Sequence, residues 1–344
     1  MSLRIVITDA FVSTAEWVDA LSALLPDARV RALDASRDGE ADKTRMPTDG
    51  STSTGRHATA IHPAGADDPW DPAAVDYAIG WNPGTDFFRA HQGLRAFFTM
   101  SAGVDRLLRT PGLPPQLPIV RLEDGGMAIQ MAEYCLYEAI RQQRRFGEYD
   151  AQAGQRIWRR KRIEEKQAWP IGVFGLGAIG APIARTLAQA GFPVRGYARS
   201  SKQLAGIECF DDRHGLQTFL SGARILVIVA PRTADTEGLF DGERLRWLPE
   251  GAWLINIARG ALVDEPALQA AIDDGHLSGA TLDVFATEPL PESHPFWQHP
   301  HIRITPHISG ITPIAESARQ IADKILALEH GKTVTGTVDR GRGY

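Results

Sequence analysis

The stretch "IGVFGLGAIGAPIARTLAQAG" constrains this chain more than any other. A short apolar strand runs into Gly175, Gly177 and Gly180, and an amphipathic helix ended by Gly191 follows. Strand, G-x-G-x-x-G and helix in that order form the context of a dinucleotide-binding turn. Gly175 permits the tight turn, Gly177 lets backbone N–H groups approach a pyrophosphate, and Gly180 permits close helix–strand packing. The positive end of the helix dipole then faces the phosphates. Leu176, Ala178 and Ile179 complete the turn and are expected to line the same ligand. An ordinary tight turn is the bland alternative, and the flanking elements argue against it.

Such a unit normally carries an acid about 20 residues after the first glycine, to hold the adenosine ribose hydroxyls. Here Ala198 stands 23 residues after Gly175, followed by Arg199, Ser200, Ser201 and Lys202. A carboxylate would repel a 2′-phosphate, whereas an arginine holds one through a forked, charge-assisted pair. The cofactor expected is NADPH/NADP, with NADH less favoured. A solvated basic loop is the competing reading, and it is weak directly after this strand.

From residue 170 strands and helices alternate: "PVRGYA", "RILVIVA", "WLINIA", "GATLDVF" and "HIRITPH" read as strands. This alternation implies a parallel sheet covered by helices on both faces. A smaller α/β unit precedes it. "RIVITDA" and "ARVRAL" are strands around a helix that opens on a Ser13–Glu16 capping box, with Trp17, Leu21 and Leu24 at helical spacing. "VDYAIGW" and "LRAFFTM" add buried strands. Residues 36 to 72 are polar and rich in Gly, Ser, Thr, Asp and Pro, and read as a long surface insertion. "MAIQMAEYCLYEAIRQQRRFGEYDAQAGQRIW" is helical through Met127, Met131, Leu136 and Ile140, with breaks expected at Gly147 and Gly154; it reads as a connecting helix or a dimer arm. "PIAESARQIADKILALEHG" is a last helix, expected to return to the first unit. The domains expected are 1–118 plus 311–344, for substrate, and 119–310, for the dinucleotide.

The 344 residues fit two domains, and the net charge of −5 argues against binding nucleic acid or anionic membrane through bulk charge. Apolar runs such as "ILVIVA" are far short of a membrane span, and "MSLRIVITDAF" reads as a strand rather than a signal peptide. Two cysteines without a metal-like or disulfide-like spacing fit a reducing, cytoplasmic setting.

In open α/β sheets ligands sit beyond the carboxyl ends of the strands. Three such ends carry reactive groups: "WLINIARG" ends on Arg259, "TLDVFATEPL" supplies Asp283 and then Glu288, and "IRITPHISG" carries His307. Arg259 can bind a substrate carboxylate or polarise its carbonyl. His307 can donate a proton when hydride reaches C2 of a 2-oxo acid. Glu288 can orient the imidazole and favour its charged form. Singly, each residue has a plain structural reading, and spacing alone does not bring them together.

"GLGAIG", "LINIARGALVDEPAL", "TLDVFATEPLP" and "HPFWQHPHIRITPHISG" together resemble the D-isomer-specific 2-hydroxyacid dehydrogenase family over most of residues 95 to 325. "GMAIQMAEY", "RRFGEY" and "YARSSK" are similar to its glyoxylate/hydroxypyruvate reductase A branch. The resemblance implies two Rossmann-like, doubly wound parallel-sheet domains with the active site in the cleft between them, and a homodimer. It implies Arg259, Glu288 and His307 as the catalytic set and Asp283 near the nicotinamide. It adds Ser101, Ala102 and Gly103 of "MSAGVDRL" for the substrate carboxylate, with Asp105 expected to cap the helix that follows. Trp81 of "GWNPG" is either a wall of the substrate site or plain core. Further cofactor contacts are expected at Ala230, Pro231, Thr236, Ile257, Ala258 and Gly310. The insertion is longer than the branch pattern.

The function expected is NADPH-dependent reduction of small 2-oxo acids, glyoxylate or hydroxypyruvate. A dehydrogenase of another D-2-hydroxy acid and a non-catalytic nucleotide-sensing protein on the same fold are the alternatives. The complete Arg–Glu–His set disfavours sensing, which needs no proton donor. His294, His299 and His301 crowd a Pro-containing loop and read as loop packing rather than a metal site. Cys135 reads as a buried thiol, and "RRKR" at 159–162 as a solvated or salt-bridged arm.

Overall fold

The computed structural model describes residues 2–8, 14–33 and 70–344. Its strands are β1 (Arg4–Ile7), β2 (Arg29–Ala32), β3 (Tyr77–Gly80), β4 (Ala96–Thr99), β5 (Ile119–Val120), β6 (Ile171–Phe174), β7 (Val194–Tyr197), β8 (Glu208–Phe210), β9 (Ile225–Ile228), β10 (Ala252–Asn256), β11 (Leu277–Leu282) and β12 (Ile302–Ile304). The helices are α1 (Thr14–Leu24), α2 (Thr85–Ala90), α3 (Met127–Gln143), α4 (Phe146–Gly154), α5 (Gly180–Gln189), α6 (Leu216–Leu220), α7 (Gly242–Leu245), α8 (Glu265–Asp273) and α9 (Ile314–Glu329). Ser13 of the expected capping box, and all of the polar insertion up to residue 69, lie outside the described residues.

The chain divides into two units. The first holds the described residues up to Ser101, with Arg106–Arg121 and Ala318–Val338. Its sheet is five-stranded, in the order β2-β1-β3-β4-β5, and each pairing is parallel. Strands β1, β3 and β4 are almost wholly apolar and buried on both faces, as a helix-covered parallel sheet requires. On α1 the buried row is Trp17 and Leu21, continued by Leu25 just beyond the helix, while Leu24 is exposed. The expected Leu24 is the last residue of the helix and is exposed despite its helical spacing.

The second unit holds Ala102–Asp105, Leu122–Ser317 and Asp339–Tyr344. Its seven-stranded sheet runs β12-β11-β10-β9-β6-β7-β8, again parallel throughout. The order reverses between β6 and β9, which is the switch point where open sheets take ligands. Helix α3 packs on α5, and its buried residues include the small Ala128, Ala132, Cys135 and Ala139. Leu136 and Ile140 are only half-buried, because this small face takes the core position. Burial raises the pKa of the Cys135 thiol, so it is a packing group rather than a nucleophile.

The long helical segment breaks at Arg145 rather than at the expected Gly147, although α4 does end at Gly154. Arg145 is in the left-handed region (φ 58°), and its Nε pairs with Glu148 at 2.5 Å to start the next helix. The two main crossings fall at 121/122 and 317/318, beside the expected 118/119 and 310/311, and residues 102–105 and 339–344, expected with the first domain, group with the second unit. Ile119 is in register with Phe97 and so belongs to the first sheet. The Ser317 hydroxyl donates to the Gly125 carbonyl, keeping the first turn of α9 with the second unit. Farther along α9, Glu329 accepts from the Tyr77 hydroxyl at 2.5 Å and pairs with Arg95 at 2.7 Å in the first unit.

Candidate active site

Strand register organises the site. Phe210, Tyr197, Phe174, Ile228, Asn256, Leu282 and Ile304 form one transverse row across the large sheet, and each is the last residue of its strand. The loops that leave this row carry nearly all the residues singled out in the sequence. Gly175 follows β6, Arg199 follows β7, and Ala230 and Pro231 follow β9. Arg259 follows β10, Asp283 follows β11, and His307 follows β12.

At the glycine turn each glycine has its own reason. Gly175 has φ 109°, and a Cβ there would meet the Ala230 amide nitrogen at 2.8 Å. A Cβ on Gly180 would come within 1.7 Å of the Gly175 carbonyl oxygen. A Cβ on Gly177 would meet nothing within 4 Å, so the backbone there faces open space. This is the arrangement a pyrophosphate needs: a locked turn with one open backbone face at a helix N-terminus. Leu176 is buried under the turn, Ile179 precedes α5, and Ala178 is exposed. Ala230, Ile257 and Ala258 are buried, and the Ile257 and Ala258 amides donate to the Ile228 carbonyl and to Asn256 Oδ1 at 3.2 and 3.1 Å. Thr236 is engaged locally: its hydroxyl donates to the Pro231 carbonyl at 2.7 Å and accepts from the Thr233 amide at 2.8 Å. Gly310 packs on α3, where a Cβ would meet Met131 at 2.8 Å.

At the β7 end, Arg199, Ser200, Ser201 and Lys202 are exposed. Among the described residues neither Arg199 nor Lys202 has a carboxylate partner, in contrast to nearby Arg195, which pairs with Glu208 at 3.0 Å. Two exposed cations thus stand three residues apart in the sequence without a carboxylate partner among the described residues, where NAD-type sites carry an acid.

Arg259 sits one turn beyond β10. The Asn256 amide donates to the Arg259 carbonyl at 2.9 Å and fixes the loop, while Arg259 Nη1 donates to the Ala258 carbonyl at 2.7 Å. Its Nε donates to Asp105 Oδ1 at 3.0 Å. Asp105 was expected to cap the following helix; instead it pairs with Arg259, and the short turn Leu107–Arg109 has no side-chain cap. The chain from Ala102 to Asp105 is pressed onto this guanidinium so closely that a Cβ on Gly103 would lie 1.6 Å from Arg259 Nη2. The substrate-loop glycine and the arginine are therefore in one place. Ser101 is turned inward locally, its amide donating to Thr99 Oγ1 at 3.0 Å. Trp81 is half-buried in the first unit, with Arg106 over its ring at 5.2 Å.

His307 Nδ1 lies 2.8 Å from Glu288 Oε2, while Glu288 Oε1 accepts the Phe285 amide at 2.9 Å. Burial pushes the Glu288 carboxyl up, but the His307 hydrogen bond and charge, the Phe285 amide and the Arg259 charge together outweigh it. The net result is a pKa below the ordinary carboxyl value. Glu288 thus feels both His307 and Arg259, which brings the three within one electrostatic neighbourhood. His307 itself has φ 55°, unusual for a side chain with a Cβ.

Asp283 explains how that backbone is held, a role the sequence did not disclose. It is 0% exposed. Its Oδ1 accepts from the Thr305 hydroxyl at 2.6 Å and the Ile308 amide at 2.9 Å, and Oδ2 accepts from the Ser309 amide at 2.9 Å. The Asp283 carbonyl takes the His307 amide at 2.9 Å. Thr305, donating to Asp283, accepts in turn from Tyr134 on α3 at 2.7 Å. One buried carboxylate therefore ties down both sides of His307. Its nearest sequence signal is the spacing of a Thr two residues before the His.

The histidine loop is held by carboxylates that sequence spacing hid: His299 is 3.1 Å from Asp273 and His294 is 3.6 Å from Glu265. In the basic run, Lys161 pairs with Glu148 at 2.8 Å while the arginines on either side are exposed.

A parallel sheet with a glycine turn at its switch point, and an Arg and an acid-held His on the same edge, defines a dinucleotide-dependent dehydrogenase domain. Residues 136–309 match the D-isomer specific 2-hydroxyacid dehydrogenase family in its NAD binding domain, and the chain belongs to that family. A glyoxylate/hydroxypyruvate reductase A from Salmonella enteritidis is 37% identical over 337 residues, 96% of this chain and 97% of that protein. A D-isomer specific 2-hydroxyacid dehydrogenase from Xanthobacter autotrophicus, solved in complex with NADPH and MES, is 35% identical with a TM-score of 0.88, covering 100% of both chains. An NADPH-dependent glyoxylate/hydroxypyruvate reductase from Sinorhizobium meliloti, solved with NADP and sulfate, is 29% identical with a TM-score of 0.84 over 100% of both chains.

Proposed function

We propose that this enzyme reduces small 2-oxo acids, glyoxylate and hydroxypyruvate foremost, to 2-hydroxy acids with NADPH. The observation that carries the reading is the hydrogen-bonded His307–Glu288 pair on the same strand-end row as Arg259 and the glycine turn. The reductases named above support the substrate class, and the un-neutralised Arg199 and Lys202 support NADPH over NADH.

NADPH supplies the hydride. Gly175, Gly177 and Gly180 would hold its pyrophosphate, and Arg199 with Ser200, Ser201 and Lys202 its 2′-phosphate. Arg259, with the Ala102–Gly103 backbone and Ser101, binds the substrate carboxylate and polarises the carbonyl. His307 hands its proton to the carbonyl oxygen as C2 is reduced. Glu288 engages Nδ1 and fixes the ring, which leaves Nε2 as the donating atom. Asp283 holds the His307 backbone, and Trp81 is a candidate substrate residue.

The homodimer reading is supported by apolar side chains exposed on and after α3 and α4: Ile129, Tyr137, Phe146, Ile157, Ile163, and Trp158 at 97% exposure. A second copy is the occupant that would cover them. The unpaired thiols of Cys135 and Cys209 fit a reducing compartment, the cytoplasm.

The test is purified protein with NADPH and glyoxylate or hydroxypyruvate, followed at the nicotinamide absorbance. Turnover is expected with both, and Arg259→Ala and His307→Ala should each remove most of it. Absence of turnover with any 2-oxo acid, or near-normal rates in His307→Ala, overturns the reading.

A further inference from the structure

Arg199 is held from a distant part of the sequence. Its Nη2 donates to the Tyr344 hydroxyl oxygen at 2.5 Å, and its guanidinium carbon lies 5.4 Å from the centre of the Tyr344 ring. Tyr344 gets there because residues 339–344 close into a turn. Asp339 Oδ1 accepts from the Gly341 and Arg342 amides at 2.9 and 3.2 Å, and Oδ2 pairs with Arg342 Nε at 3.2 Å. The Asp339 amide donates to the Tyr344 carbonyl at 3.2 Å, and the Gly343 amide to the Asp339 carbonyl at 2.9 Å. Gly343 takes φ 80°, and a Cβ on it would meet Thr233 Cγ2 at 3.7 Å. The turn therefore touches two loops of the second unit, those after β7 and β9, and both carry expected cofactor residues.

The hydrogen-bond arithmetic gives this contact a use. A phenolic oxygen that accepts from a guanidinium keeps its own proton for another acceptor. Arg199 then presents its remaining N–H groups beside a second donor, and the aromatic face restricts the guanidinium to fewer rotamers. A pre-ordered pair of donors binds a dianion with less loss of side-chain entropy than a free arginine does. A phenol also adds no negative charge, unlike the acid of NAD-type sites.

We propose that Tyr344 is a cofactor-specificity residue: it orders Arg199 and donates its hydroxyl proton to the 2′-phosphate of NADPH. The inference rests on the reading of Arg199 as the 2′-phosphate anchor. It places residues 339–344, which no glycine or catalytic motif marks, in the adenosine end of the site.

The experiment titrates wild type, Tyr344→Phe and Arg199→Ala with NADPH and with NADH, read by nicotinamide fluorescence, with melting temperatures for each. Tyr344→Phe keeps the ring and loses the hydroxyl. It should weaken NADPH about tenfold, about 1.4 kcal/mol, and change NADH by less than about twofold. Arg199→Ala should weaken NADPH more strongly. Gly343→Ala, which strains the turn, should follow Tyr344→Phe in direction. An equal loss for both cofactors in Tyr344→Phe, or no loss there while Arg199→Ala loses NADPH, overturns the role of Tyr344 and leaves the anchor standing. No selective loss in either variant overturns both.

Discussion

Gly103→Ala should separate activity from stability. Gly103 lies outside the left-handed region, so an alanine backbone is tolerated. The new methyl would lie 1.6 Å from Arg259 Nη2 and 2.7 Å from Cζ, whereas ordinary contact begins at 3.4 Å. The guanidinium must therefore retreat by roughly 1.8 Å, and the Nε–Asp105 bond of 3.0 Å does not survive that move. What gives way is the end of a flexible side chain, so stability should change by no more than about 0.5 kcal/mol, a melting shift of about 1–2 °C. What is lost is the charge-assisted grip on the substrate carboxylate, about 1.5–3 kcal/mol or roughly 10- to 150-fold in kcat/KM. Steady-state kinetics with hydroxypyruvate and a thermal melt give the two numbers. Wild-type kcat/KM in the alanine variant would refute the placement of Arg259, and a large melting drop would refute the claim that only a side chain yields.

Gly180→Ala is the converse: its methyl meets the Gly175 carbonyl oxygen at 1.7 Å, a backbone atom that cannot rotate aside, so denaturation should show a loss of about 1–3 kcal/mol. Thr305→Val removes the donor to Asp283 and the acceptor of Tyr134, leaving buried polar groups unpaired; a loss of about 1–3 kcal/mol with a lower kcat is expected, by denaturant titration and kinetics. Glu288→Gln tests the depressed carboxyl. Its folded pKa lies below the unfolded value, so the ionised form stabilises the fold above the ordinary value of 4.5 and the contribution is lost as pH falls through the folded value. Wild type should melt above Glu288→Gln near about pH 6, and the two curves should converge as the medium is acidified toward about pH 3; a gap that widens in acid would contradict the sign.

The large sheet was legible because its strands are continuous apolar runs and its turn glycines fall at fixed offsets. Strand ends marked Arg259, Asp283 and His307 as candidates in the sequence, and the register of the sheet puts those ends in one row. What the sequence concealed was pairing at long range. Asp105 reads as a helix cap because its local context offers one, yet its partner is 154 residues away. The helix break at Arg145 was assigned to Gly147, since propensity marks glycine and not an arginine in the left-handed region. Strands β5 and β8, of two and three residues, lack enough alternation to register, and neighbouring strands rather than their own composition make them strands.

The common finishing line of seven strands has a bearing on how such a chain tolerates length changes. Each strand advances about 3.3 Å per residue and alternates faces. Deleting one residue within β11 would draw Asp283 back by about that distance and turn its neighbours over, unpinning His307. The same deletion where the chain re-enters the sheet at the opposite edge could be taken up by a loop. Insertions and deletions compatible with activity should therefore cluster at strand starts, and the chain's length variation should be polar: generous at one edge of the sheet, forbidden at the other.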